Sequence, residues 1–214
     1  MPVTERPILL TGATGFVGMA VLARLLAADH EVHCLIRASD DAEADSRLRA
    51  VLHRVQAPAT GRAVAIAGDL TAPRLGLGER HDEIAAGVGT VIHSAASVAF
   101  DLPIEEARAI NVEGTRRVLD FAGAVPDLQR VAYVSTAYVA GNRRGTAYED
   151  DRETGAFRNT YERSKHEAEA LVRSSTLPWT IARPTTPRPI RACAPCWRAC
   201  RPLRPGTPSP SPAT

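Results

Sequence analysis

Ile8-Leu9-Leu10-Thr11-Gly12-Ala13-Thr14-Gly15-Phe16-Val17-Gly18 is the stretch on which the fold turns. The apolar run Ile8–Leu10 reads as a buried strand. The stripe Val17, Val21, Leu22, Leu25 and Leu26 reads as one face of a helix over Phe16–Ala27. Between them Gly12, Gly15 and Gly18 follow the spacing G-x-x-G-x-x-G. Such a turn lets backbone close on a pyrophosphate, whose charge then meets the unpaired amides of the helix start. Glycines alone would fit a plain turn. A strand before them and an amphipathic helix after them supply the context a dinucleotide site requires.

Outward from this unit, short apolar runs keep alternating with longer helical ones. Strands are expected at Glu31–Ile36, Ala63–Ala67, Thr90–Ser94, Arg130–Ser135 and Trp179–Ala182. Helices are expected at Asp41–Val55, Pro103–Ala124 and Thr160–Ser174. Pro103 suits a first turn, where its missing N–H is not needed. Alternation of this kind predicts an α/β chain: a doubly wound parallel sheet covered on both faces, the Rossmann fold.

The chain has 214 residues, 44% hydrophobic and 23% charged, as expected of a globular protein. Its net charge of +2 hides a split. Thr185–Thr214 carries five arginines and no acid, which leaves 21 basic against 24 acidic residues in the body. The body therefore offers no basic field for nucleic acid. No apolar run reaches the roughly 18 residues of a spanning helix, and Met1–Pro7 lacks a signal layout, so a cytoplasmic protein is expected. Cys34, in an apolar strand, reads as a small buried hydrophobe.

The tail differs in kind. Its eight prolines and lack of apolar period predict disorder, which divides the chain into a cofactor-binding domain over 1–184 and a Pro/Arg-rich tail over 185–214. Its composition looks like translation in a shifted frame. Cys193, Cys196 and Cys200 have no histidine partner and no structured surround, so no metal site is expected.

Strand two ends in Cys34-Leu35-Ile36-Arg37. Where an acid would select the ribose hydroxyls of NAD, Arg37 can pair with the 2′-phosphate of NADP. Asp40 and Asp41 lie close enough to keep NAD(H) open, and Arg47 is a second cation that either approaches the phosphate or lies on a solvated helix face. After strand three, Asp69 can accept from the adenine amino group with Leu70 against the ring edge; a turn aspartate is the alternative. Ala95 and Ala96 are small enough for backbone to lie along the nicotinamide half. His93 reads as a packed histidine rather than a general base, and Asn111 as a structural amide.

Tyr161-Glu162-Arg163-Ser164-Lys165 puts a phenol and an ammonium one helical turn apart on one face. Hydride transfer to a carbonyl builds negative charge on oxygen, which needs a proton donor and a clamp. Tyr161 is the donor, Lys165 the cation expected to lower its pKa and to hold the nicotinamide ribose, and Thr136 the second hydrogen bond. Ser135 and Tyr138 are rivals to Thr136, although Ser135 should point to the opposite side of the strand.

These residues, together with GDLTAPRLGL at Gly68–Leu77, VIHSAASVAF at Val91–Phe100, NVEGT at Asn111–Thr115, YVSTAYVAG at Tyr133–Gly141 and IARP at Ile181–Pro184, resemble an extended short-chain dehydrogenase/reductase. Within it they are similar to the thioester reductase and fatty acyl reductase (male sterility-type) branch, over about residues 7–184. The resemblance implies catalytic roles for Thr136, Tyr161 and Lys165. It implies NADP(H) contacts from Gly12, Thr14, Gly15, Phe16, Val17, Gly18, Arg37, Asp69, Leu70, Ala95, Ala96 and Lys165. The implied substrate is an acyl thioester, on coenzyme A or a carrier protein, reduced to aldehyde or alcohol. A sugar epimerase or dehydratase, a hydroxysteroid dehydrogenase, and a cofactor-binding chain without turnover are the other readings. Beyond Arg183-Pro184 the family continues into a substrate lobe that Thr185–Thr214 does not resemble, so the lobe is expected to be largely absent and activity impaired.

Overall fold

The structure is a computed structural model and describes residues 6–57, 61–148 and 156–183, with the backbone of 190–191. Six parallel strands form the sheet: β1 (Ile8–Thr11), β2 (Val32–Arg37), β3 (Ala63–Gly68), β4 (Thr90–His93), β5 (Arg130–Val134) and β7 (Trp179–Ala182). Their order is β3-β2-β1-β4-β5-β7. The direction of travel reverses between β1 and β4, and in doubly wound sheets that switch point opens the ligand crevice. Leu10 sits between Cys34 and Ile92 in the registers on its two sides.

Alternation along each strand sends neighbours to opposite faces. On one face Leu10, Cys34 and Ile36 pack with Leu22 and Leu26 of α1 (Phe16–Ala27) and Leu48 and Val51 of α2 (Asp41–Arg54). On the other, Leu9, Leu35, Val91 and Val131 pack with Val118 and Phe121 of α5 (Glu113–Gly123), and with Ala85 of α3 (His81–Gly87). Tyr133 of β5 meets Ala168 and Val172 of α6 (Thr160–Ser174). Cover is uneven: the first cluster ends at Ile92, and Thr180 and Ala182 of β7 are exposed.

Three expectations need correction. The helix expected at Pro103–Ala124 is two, α4 (Ile104–Asn111) and α5, parted at Val112. The break is slight, because Val112 still donates to Arg108 O and Arg116 to Val112 O. Helix α3 is an addition to the expected elements, and β4 stops at His93 rather than Ser94. Strands β6 (Thr146–Ala147) and β8 (Ile190–Arg191) pair antiparallel. The rest of the tail, with its expected disorder and its three cysteines, lies outside the described residues.

Candidate active site

The glycine turn is set by contacts no side chain would survive. Gly12 has φ +77°, and a Cβ there would come within 2.6 Å of the Ala95 nitrogen. A Cβ on Gly18 would run into the carbonyl oxygen of Gly12, so α1 presses directly on the turn. Gly15 donates to Gly12 O at 2.9 Å and stands at the N-cap of α1 with no side-chain cap. The amides of Phe16, Val17 and Gly18 are thus left for an outside partner. Thr14 and Gly15 are exposed, and Phe16 is 88% exposed. An uncapped N-terminus beside a cradle that any Cβ would fill suits the pyrophosphate of a dinucleotide.

At the end of β2 the Arg37 side chain is exposed and meets no carboxylate among the described residues. Asp40 caps α2, accepting from the Glu43 amide at 2.8 Å. Asp41 accepts from the Ala67 amide at 2.9 Å and pairs with Arg80, and these bonds hold its carboxyl below the usual range. Arg47 donates to the Arg37 carbonyl. Asp69 adopts the turn role: its Oδ1 accepts from both the amide and the hydroxyl of Thr71 at 2.7 Å. Leu70 is half-buried against Gly114 of α5. Ala96 is half-buried in the loop after β4, and Ala95 donates to Thr11 Oγ1 at 3.3 Å.

The first turn of α6 carries Tyr161. Asn159 caps the helix, accepting from the Glu162 amide at 2.8 Å. Burial raises the Tyr161 phenol, and the nearby Thr136 hydroxyl partly offsets this. Thr136, extended at the end of β5, accepts from the Tyr138 amide at 3.3 Å. Phe100 stands edge-on to the Tyr161 ring at 5.4 Å, with Tyr138 behind it. Ser135 points the other way, into Glu169, as strand alternation requires.

Lys165 is 3% exposed. Its Nζ donates to Val134 O at 2.9 Å and sits 4.2 Å above the Tyr133 ring. Burial pulls its pKa down to about 7, opposed by Glu169 one turn further on. No hydrogen bond joins Lys165 and Tyr161 among the described residues. The ammonium turns inward because the Val134 carbonyl and the aromatic face solvate it there.

Glu169 is the buried counter-charge that sequence reading missed. Burial would raise its pKa, but Arg183, Ser135 and Arg173 override this and leave it low. Arg183 is nearly as buried as its partner. A glutamate at i+8 from Tyr161, on the same helical face, was the available signal. Cys34 is fully buried, which pushes its thiol up to about 12.

The chain has counterparts among known proteins. Residues 10–186 match the NAD-binding family described as male sterility protein. The chain belongs to that family. It is 38% identical over 194 residues to isonitrile lipopeptide synthase of Streptomyces coeruleorubidus, covering 84% of this chain and 13% of that one. It is 31% identical over 151 residues to fatty acyl-CoA reductase wat of Drosophila melanogaster, covering 65% and 29%. The crystal structure of the terminal R domain from the myxalamid PKS-NRPS biosynthetic pathway superposes with a TM-score of 0.78 at 34% identity, covering 86% of this chain and 50% of that one. This family member therefore spans half or less of the length of these relatives. Among its described residues no helix is long and apolar enough to cross a membrane, and no group of three or more His, Cys, Asp and Glu could hold a metal.

Proposed function

We propose that this chain is the cofactor-binding part of an NADPH-dependent reductase of acyl thioesters, held on coenzyme A or a carrier protein and released as aldehyde or alcohol. As a user of a soluble nicotinamide cofactor it would work in the cytoplasm. The observation that carries the reading is the helix turn from Tyr161 to buried Lys165 set against the end of β5, with Thr136 near the phenol and Lys165 Nζ donating to Val134 O at 2.9 Å. Similarity to a fatty acyl-CoA reductase and to a terminal R domain supports the substrate class.

Gly12, Gly15 and Gly18 would seat the pyrophosphate, and Ala95 and Ala96 would line the nicotinamide half. When bound, the reduced nicotinamide supplies a hydride to the thioester carbon. Tyr161 then gives its phenolic proton to the carbonyl oxygen while the Thr136 hydroxyl hydrogen-bonds to it. The resulting hemithioacetal collapses to aldehyde and free thiol. Lys165 supplies positive charge beneath the site and a donor for the ribose. Arg37 supports NADPH over NADH: its guanidinium has no partner among the described residues, whereas Asp40 and Asp41 are committed to a helix cap, Ala67 and Arg80.

Titration of the chain with NADPH and NADH, followed by nicotinamide fluorescence, tests this. NADPH should bind more tightly, and Arg37→Ala should weaken it about tenfold, the loss of one charge-assisted contact, while leaving NADH unchanged. Equal affinities, unmoved by Arg37→Ala, would remove the NADP reading. Oxidation of NADPH by an acyl-pantetheine thioester, but not by a sugar nucleotide or sterol, tests the substrate.

A further inference from the structure

Thr11, His93 and Thr115 are fully buried, and each lies in a different element: β1, β4 and α5. His93 Nδ1 is 2.7 Å from Thr11 Oγ1, and its Nε2 is 3.1 Å from Thr115 Oγ1. The direction of every proton follows from counting. Thr115 has one hydroxyl hydrogen and gives it to the Asn111 carbonyl at 2.6 Å. The Thr115 oxygen is therefore an acceptor toward the imidazole, so Nε2 carries a hydrogen. Thr11 Oγ1 accepts from the Ala95 amide at 3.3 Å, which leaves its own hydrogen for Nδ1. The result is one ordered run: Ala95 N–H to Thr11, Thr11 to His93, His93 to Thr115, Thr115 to Asn111.

Asn111 carries the run further. Its side-chain oxygen accepts from the Ser97 amide at 2.8 Å. Its Nδ2 donates to Ser97 O at 3.1 Å and to Ser164 Oγ at 2.9 Å. Ser164 in turn donates to the Tyr161 carbonyl at 3.0 Å. One end of the run is the loop Ala95–Ser97 beside Gly12, and the other is the first turn of the helix that bears Tyr161. Burial keeps the imidazole neutral, down to about 3, with Lys165 adding to the effect. The Tyr133 hydroxyl lies near Thr115 without closing a hydrogen bond, so it does not reverse the direction of the run.

We infer that His93 is a positioning residue: a neutral, Nε2-protonated imidazole that locks the loop Ala95–Ser97 against Gly12 and ties it to the Tyr161 helix. The inference deepens the proposed function in one respect, since the cofactor would lie along that loop. The hydrogen-bond run itself does not depend on that reading.

Nuclear magnetic resonance of the 15N-labelled 214-residue chain tests it, through long-range proton–nitrogen correlations of the histidine rings. His93 should show a protonated Nε2 and a bare Nδ1 unchanged between about pH 5 and 8. An Nδ1-protonated or doubly protonated ring in that range would overturn the assignment. His93→Phe keeps the ring's bulk and removes both nitrogens. It should speed hydrogen exchange at the Ala95 amide about tenfold and weaken NADPH by a similar factor, with His93→Gln restoring part of each. Wild-type exchange and affinity in His93→Phe would reduce His93 to packing and sink the proposal. Should that variant fail to fold, the wild-type tautomer still decides. Should the wild-type chain bind no NADPH, the cofactor reading fails, while the tautomer and exchange data still judge His93.

Discussion

Around Gly12–Gly18 the chain makes its site out of backbone, whereas around Lys165 it makes one out of buried charge. The first region has no ionised side chain and no side-chain cap; its chemistry is φ +77° at Gly12 and the free amides of α1. The second buries Glu162, Lys165 and Glu169 on one helix, with Arg183 packed against Glu169. A backbone site tolerates almost no added atoms but is indifferent to pH. A site of buried charge depends on close geometry and on every partner's ionisation.

The sharpest test of that contrast is Tyr161→Phe. It removes one oxygen that lies near Thr136, so stability should change little while thioester reduction falls roughly 10²–10⁴-fold. A fall of less than about tenfold, measured as NADPH oxidation, would take Tyr161 out of the proton transfer. Glu169→Ala should act on stability instead. It removes the carboxylate that pairs with buried Arg183 and accepts from the Ser135 hydroxyl, a loss of about 3–5 kcal/mol in urea unfolding, with Glu169→Gln intermediate. If Glu169→Ala unfolds like wild type, the charge cluster contributes nothing.

Gly18→Ala comes next. Its Cβ meets the Gly12 carbonyl, which is backbone and cannot swing away, so a loss of about 1–3 kcal/mol and of NADPH affinity is expected together. Affinity lost without stability, or the reverse, would separate the turn from the fold. The smallest effect is in pH. The folded pKa of Lys165 lies near 7 and the unfolded one at the ordinary lysine value of 10.5, so the unfolded chain binds more protons between them. Stability should therefore rise with pH above 7, by about 1 kcal/mol from about pH 7 to 8, and show no further change from this group below it. Lys165→Met should abolish the rise in thermal melts run across that range; an identical slope in both proteins would mean that Lys165 is not the titrating group.

The backbone site was the legible one. Glycine spacing between an apolar strand and an amphipathic helix is local, and the strand order follows from βαβ alternation. The charge site was half legible. Tyr161 and Lys165 stand four apart, yet what Lys165 faces, the Val134 carbonyl and the Tyr133 ring, comes from a strand 31 residues away. Glu169 and Arg183 look like two ordinary charged residues until packing brings them together. Helix α3 escaped because His81–Gly87 is too short for a period to show, its inward positions being His81 and Ala85. The break at Val112 escaped because the apolar period runs straight through it.

The Gly12 turn also has an order in time. Thr11 and His93 are 82 residues apart, and β1 is hydrogen-bonded to β4 on one side. The turn lacks its far wall until Ala95 has followed it out of the ribosome, roughly 4–16 s later at about 5–20 residues per second. Loop-closure entropy over that span, more than any contact within the turn, sets when the crevice first exists.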